Sequence, residues 1–304
     1  MREPMYMTEV TVVYTCPYVP AEWIAAHGLR PRRLIPLPVE GESVVVRAEG
    51  LCPYARAFAN DAVADNADGI IVTTLCDQMR RVYDLLVRGT DTPVFLLNMP
   101  KTWQTVGAQR LYVDEVKRLG RFLVRLGGRA PSHEELVHVM IDYDTDEDRV
   151  PCTSRKSPGT PIAVIGGPLM QRDRILFGLI EDCGGRIVLD ATETGWRGER
   201  RPFDRRRLIE DPLLELADAY FSIPDASRRP NSELYEWLKV ELTRTGARGI
   251  VFHHYVWCDA WRSELVRLRE WVGLPVLGLD GEGYSETNPA RLQSRILAFL
   301  EMLQ

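Results

Sequence analysis

The sequence predicts two α/β domains, each built on a mostly parallel sheet, with a cleft between them. Three observations carry this. Short apolar runs alternate with amphipathic segments along the whole chain, the pattern of βα units. The stretch Asp144–Thr160 (DTDEDRVPCTSRKSPGT) is polar, contains proline and lacks periodicity, so it reads as a crossing between domains. A length of 304 residues, 45% of them hydrophobic, suffices for two cores at roughly 150 residues per domain. The expected division is residues 1–150, carrying Cys16, Cys52 and Cys76, and residues 161–304, carrying Cys258.

In the first half, strands are expected at Val10–Thr15, Gly69–Thr74 and Pro93–Asn98, where apolar, β-branched runs fit strands buried on both faces. Helices are expected near Ala21–His27, Pro53–Asp65, Asp77–Val87, Gly107–Leu126 and Ser132–Tyr143. Proline at a first helical position and aspartate in a first turn mark two of these starts. The second half repeats the scheme, with strands at Ile162–Ile165, Arg186–Asp190, Gly249–His253 and Pro275–Gly278. Its helices fall near Leu169–Asp182, Leu213–Phe221, Ser232–Thr245, Asp259–Val272 and Pro289–Leu303, and Gly184 and Gly185 supply the stop after the first of them. The Arg- and Gly-dense stretch Thr192–Arg207 (TETGWRGERRPFDRRR) has no core pattern and reads as a solvated loop, with an anion-binding lid as the alternative.

Composition narrows the function. Against 43 acidic residues stand 38 basic ones, of which only Lys101, Lys117, Lys156 and Lys239 are lysine, for a net charge of −5. That balance provides no basic field for nucleic acid or anionic membranes. No apolar run approaches the roughly 20 residues that span a bilayer, and Met1 to Glu9 lacks the order of a signal peptide, so a cytoplasmic protein is expected. Six cysteines, at 16, 52, 76, 152, 183 and 258, are too sparse for a disulfide scaffold. They are core residues, reactive thiols or metal ligands.

Three of them share one local design. Cys52 precedes Pro53 and a helix, Cys76 follows the strand GIIVTTL and precedes Asp77, and Cys258 follows the strand GIVFHH and precedes Asp259. In an open parallel sheet such strand-to-helix junctions lie on the carboxyl edge, where ligands bind. The helix dipole and free N–H groups there are expected to lower a thiol pKa and to suit a metal-bound sulfur. The spacings match no zinc knuckle or bacterial ferredoxin run. The shared junctions, not the spacing, point to a metal.

The segment from Tyr14 through Cys16, Tyr18, Pro20, Glu22 and Ala26 to Gly28 resembles the opening motif of the 2-hydroxyacyl-CoA dehydratase / benzoyl-CoA reductase family. Leu51-Cys52-Pro53-Tyr54-Ala55-Arg56, Cys76-Asp77-Gln78-Met79-Arg80-Arg81, and the stretch from Gly249 through Cys258-Asp259 to Gln293–Glu301 follow in the family's order. The resemblance implies two flavodoxin-like, three-layer domains. It also implies a [4Fe–4S] cluster on Cys52, Cys76 and Cys258, with one iron open to water, another ligand or substrate. It implies subunits that work in pairs, with themselves or with a homologous second subunit, and that receive electrons from a separate ATP-hydrolysing iron–sulfur activator. In the dehydratases one electron makes a ketyl radical of an acyl-CoA thioester, which expels the 2-hydroxyl. The expected activity is therefore a lyase, a hydro-lyase of the 2-hydroxyacyl-CoA type. Because 304 residues is short for such a subunit, an oxidoreductase acting on another substrate, or a relay subunit without its own catalysis, is the alternative.

Other residues complete the expected site. Cys16, at the end of the first strand, is a candidate fourth metal ligand or a thiol beside the cluster. Relatives with a double cubane carry more cysteines; Ile35 and Asp61 stand where these would be sought, which argues against one here. His253 and His254, just ahead of Cys258, are the nearest titratable groups and the candidate catalytic acid or base. Gly166 and Gly167, read as lying between a strand and a helix, are candidates for binding a phosphate or carboxylate through free N–H groups. No GxGxxG fingerprint accompanies them. The loop Gly281–Asn288 is a candidate for closing the cleft, and Cys152 and Cys183 are read as structural.

Overall fold

The computed structural model describes residues 9–39, 50–144, 158–281 and 289–304. Cys152, most of the 144–160 segment and the loop after Gly281 lie outside them. The first sheet comprises β1 (Thr11–Tyr14), β2 (Arg30–Arg33), β3 (Gly69–Thr73) and β4 (Val94–Leu97). They are ordered β2-β1-β3-β4 and all parallel. The second comprises β5 (Thr160–Gly166), β6 (Gly185–Ala191), β7 (Gly249–Tyr255) and β8 (Val276–Gly281), ordered β6-β5-β7-β8 and again all parallel.

Alternation along each strand makes both sheets the middle layer of three. Val12, Tyr14 and Ile71 face a cluster with Trp23 and Ile24 of α1 (Ala21–Ala26), Tyr112 and Leu119 of α4 (Val106–Arg125), and Leu136 and Met140 of α5 (His133–Asp144). Their neighbours Val13, Ile70 and Val72 face the other way. There they meet Phe58 of α2 (Pro53–Ala64) and Val82 and Leu86 of α3 (Asp77–Gly89). In the second sheet Ile162, Val164 and Val251 pack on α6 (Ile175–Asp182) and α11 (Pro289–Met302), while Ala163, Ile165 and Phe252 pack on α9 (Ser232–Thr245) and α10 (Asp259–Trp271).

The expected strands and most expected helices are present, with ends moved by at most three residues. β2 has no counterpart among the expected strands. Its residues, Arg-Pro-Arg-Arg, carry no apolar signal because it is an edge strand, and its proline is tolerated there. The helix expected from Leu169 begins only at Ile175, after a single 3-10 turn over Gln171–Arg174. Gly166 and Gly167 therefore do not open a helix directly. Gly166 ends β5 beside His253, where a Cβ would stand 2.0 Å from the His253 carbonyl oxygen, and a Cβ on Gly167 would press on the Trp261 ring. Close packing alone accounts for both glycines.

The Arg-rich stretch is neither a solvated loop nor a lid. Arg197 and Arg200 are buried, and the chain beyond them forms α7 (Arg205–Glu210) and α8 (Pro212–Phe221). Phe203, Leu208, Leu216 and Phe221 join the cluster of α4 and α5 beneath the first sheet. Arg200 donates from Nε to Glu22 at 2.8 Å and from Nη1 to Asp144 at 3.1 Å, and Tyr220 donates to Glu22 at 2.6 Å. Glu22, conspicuous in the opening motif, thus anchors this strap to α1. The inverted charge reading has a simple cause: a segment's composition does not reveal that its partners lie far along the chain.

Two measurements follow. Removing Glu22 leaves the buried Arg200 guanidinium with Asp144 alone and takes the acceptor from the Tyr220 hydroxyl, so Glu22→Leu should cost about 3–5 kcal/mol in urea unfolding. The double variant Glu22→Leu/Arg200→Met should recover part of that loss, Asp144 keeping its ion pair with Arg205 at 3.4 Å, and a loss that merely adds would show that Glu22 and Arg200 are not coupled. The second concerns His253, fully buried in β7 and held neutral down to about pH 3 by burial, with His254 adding to the effect. The unfolded chain takes up this proton near pH 6.5, so stability from this group is present above that pH and is lost as pH falls towards 3. The slope is about 1.4 kcal/mol per pH unit, and His253→Leu should flatten it by that amount in unfolding midpoints measured between pH 7 and 4.5.

Candidate functional site

Parallel strands end on one edge, and that edge is where the cysteines meet. Cys16 follows β1, Cys52 is the N-cap of α2, Cys76 follows β3 as the N-cap of α3, and Cys258 follows β7 as the N-cap of α10. All four line one cavity of about 410 Å³. Cys258 packs against the core beneath α2 and α3 as well as that beneath α9 and α10, so the cavity lies where the two sheets' layers adjoin. Cys183 instead sits at the end of α6, its Sγ 3.9 Å from the Gln293 carbonyl, outside the cavity.

The thiols are not the reactive thiolates that helix starts alone would produce. Burial pushes Cys52 up to about 11 and Cys16 up to about 12. Cys76 is raised, and Cys258 well raised, by the same cause. The expected helix contribution is present but smaller. Backbone N–H groups of Ala55 and Tyr54 favour the Cys52 thiolate, those of Met79 and Gln78 that of Cys76, and that of Trp261 that of Cys258. None of the three sulfurs closes a full capping hydrogen bond. Negative charge on Cys52 and Cys76 also raises Cys258, and charge on Cys76 raises Cys52. Three sulfurs that resist losing protons together need an added cation before they do so.

Among the described residues, no group of three His, Cys, Asp or Glu stands close enough to chelate a single metal ion. The donor set is nevertheless all sulfur, with backbone N–H groups directed at it, and a multi-iron cluster takes thiolates at separate corners rather than around one centre. The residues present fit such a group in chemistry.

Glu193 is absent from the sequence-based candidates. It lines the same cavity just after β6, with its N–H donating to the Gly167 carbonyl at 3.2 Å and its carbonyl accepting from Arg33 Nη2 at 2.9 Å. Burial, then the nearby Asp225, push its carboxyl up to about 7, against the pull of Arg197 and Arg33. The carboxyl-edge rule that located the cysteines, applied to the end of β6, would have named it. His253 and His254 end up elsewhere: both are buried and neither lines the cavity. His253 packs edge-on to Tyr255 at 4.8 Å. Neither Gly166 nor Gly167 lines the cavity, although Pro168 does.

The walls are built from hydrogen-bonded aromatics. Tyr54 and Thr15 share a 2.5 Å hydrogen bond, Tyr54 stacks on Tyr255 at 6.0 Å, and the Tyr255 hydroxyl bonds to Asp173 and accepts from the Met170 N–H. On the far side Lys101 and Arg229 are joined through the Arg229 N–H and the Lys101 carbonyl at 2.7 Å.

No curated protein matches the chain. Two solved structures of a periplasmic metal-binding protein from Candidatus Liberibacter asiaticus, one of them a metal-free point mutant, align over 97% of this chain and 98% of theirs. Their identities are 10% and 11% and their TM-score is 0.23. The family of 2-hydroxyglutaryl-CoA dehydratase, D-component, matches residues 16–150 and 144–303, nearly the whole chain. With its two parallel sheets and its cysteines gathered on their carboxyl edge, the chain belongs to the 2-hydroxyglutaryl-CoA dehydratase D-component family.

Proposed function

We propose that the cavity holds a [4Fe–4S] cluster on Cys52, Cys76 and Cys258, and that the protein is the cluster-bearing subunit of a 2-hydroxyacyl-CoA dehydratase. The observation that carries this is the lining of one cavity by these three thiols, each from a separate helix-start junction of a family member. The cluster would lend the thioester carbonyl a single electron and take it back after the 2-hydroxyl has left with a proton as water and carbon 3 has lost a proton, so that the elimination is redox-neutral. The chain's own residues do the rest. Helix-start N–H groups offset sulfur charge, and Tyr54, Tyr255 and Trp261 keep bulk water from the cavity interior. Glu193, poised near neutral pH, is the cavity's candidate for giving and taking a proton. His253 is neutral at that pH and has no part in this reading. Cys16 is a thiol beside the cluster rather than a ligand, because the junction design is absent there: Cys16 caps no helix.

The implied partners are an ATP-hydrolysing iron–sulfur activator, a second copy or homologue of this chain, and an acyl-CoA substrate. Among the described residues no helix is long and apolar enough to cross a membrane.

Anaerobically purified and reconstituted protein should carry about four irons per chain and a broad visible shoulder. Cys52→Ser, Cys76→Ser and Cys258→Ser should each reduce iron content severely, while Cys16→Ser should retain it. Colourless, iron-free protein would sink the cluster. Loaded protein that accepts electrons from the activator and ATP, yet turns over no 2-hydroxyacyl thioester, would instead identify a relay subunit.

A further inference from the structure

Trp257, directly before Cys258, has two unfavourable properties at once. Its φ is +66°, a left-handed conformation that a bulky side chain rarely adopts, and its side chain is 56% exposed. It occupies the third position of the turn closed by the Cys258 N–H and the Tyr255 carbonyl at 3.1 Å, a place that glycine fills without strain. Among the described residues no aromatic ring stacks on it and no guanidinium covers it. It lines the cysteine cavity. The exposed charges of that lining, Lys101 and Arg229 against Asp77 and Asp259, balance in number and select no ligand charge. What distinguishes the mouth is the aromatic face.

We propose that Trp257 is a specificity residue, a stacking platform that favours ligands whose acyl group is planar and conjugated over saturated ones of equal size. The proposal rests on the cavity being the reaction site. Eliminating water from a saturated 2-hydroxyacyl group yields a conjugated enoyl group, so the platform would hold the product side of that reaction more firmly than the substrate side. Strain and exposure persist in folded proteins where function retains them.

The test compares wild type, Trp257→Gly and Trp257→Phe as full-length, anaerobically purified protein. Calorimetric titration uses two probe pairs: benzamide against cyclohexanecarboxamide, and benzoyl-CoA against cyclohexanecarbonyl-CoA. Wild type should bind the planar member about three- to tenfold more tightly. Trp257→Gly should bring that ratio to about one, and Trp257→Phe should restore most of it. Without any ligand, Trp257→Gly should melt about 2–4 °C higher, because glycine relieves the left-handed strain. A preference unchanged in Trp257→Gly, absence of all binding to wild type, or a lower melting temperature for Trp257→Gly would each overturn the platform. If the amides show the Trp257-dependent preference but neither thioester binds, the thioester reading fails and the platform stands. If the thioesters bind with no such preference, the platform fails and the thioester reading stands.

Discussion

The guanidinium of Arg197 is completely buried, and it ties together four parts of the chain. It donates from Nε to the Ala191 carbonyl at the end of β6, from Nη2 to the Gly166 carbonyl at the end of β5, and from Nη1 to the Pro224 carbonyl and Asp225. Its face lies over the Trp261 ring at 4.5 Å. A charge removed from water survives only with such full pairing. Each group it holds leads directly into the cavity: Pro168 two residues after Gly166, Glu193 two after Ala191, Ser227 two after Asp225, and Trp261 itself. The carboxyl edge of the second sheet is therefore fastened behind the cavity by one side chain.

That fastening explains which parts of the molecule are legible in the sequence. Buried parallel strands such as GIIVT and GIVFHHY read plainly, because both faces are apolar. The junction positions of Cys52, Cys76 and Cys258 are equally readable, since proline and aspartate after each cysteine are local signals. What escapes notice depends on residues distant in sequence. Arg197 and Arg200 resemble solvated cations until Asp225, Glu22 and Asp144 are brought to them. The Arg-Pro-Arg-Arg strand has no pattern of its own and exists because β1 offers an edge. The direction of the thiol pKa values is misjudged for a related reason. A helix start is visible in sequence, but the depth of burial that outweighs it is not.

The cavity combines two kinds of raised acid. Burial raises its thiols, and burial with Asp225 pushes the Glu193 carboxyl up to about 7. Buried sulfurs that resist negative charge until a cation joins them are suited to a positively charged inorganic core, and the raised Glu193 carboxyl is suited to a mobile proton. The neutral interior also explains the packing of His253 against Tyr255, as an uncharged ring in a wall rather than a group facing substrate.

The contact of Cys258 with both halves' cores bears on the order of biosynthesis. Cys16, Cys52 and Cys76 leave the ribosome early, and the first sheet can form around them while most of the second is still unmade. Cys258 emerges 182 residues after Cys76, at the start of the helix that follows a strand paired with β5 and β8. Any inorganic group requiring all three junction cysteines must consequently wait until β7 has been made and paired, and so meets a first sheet that can already be formed.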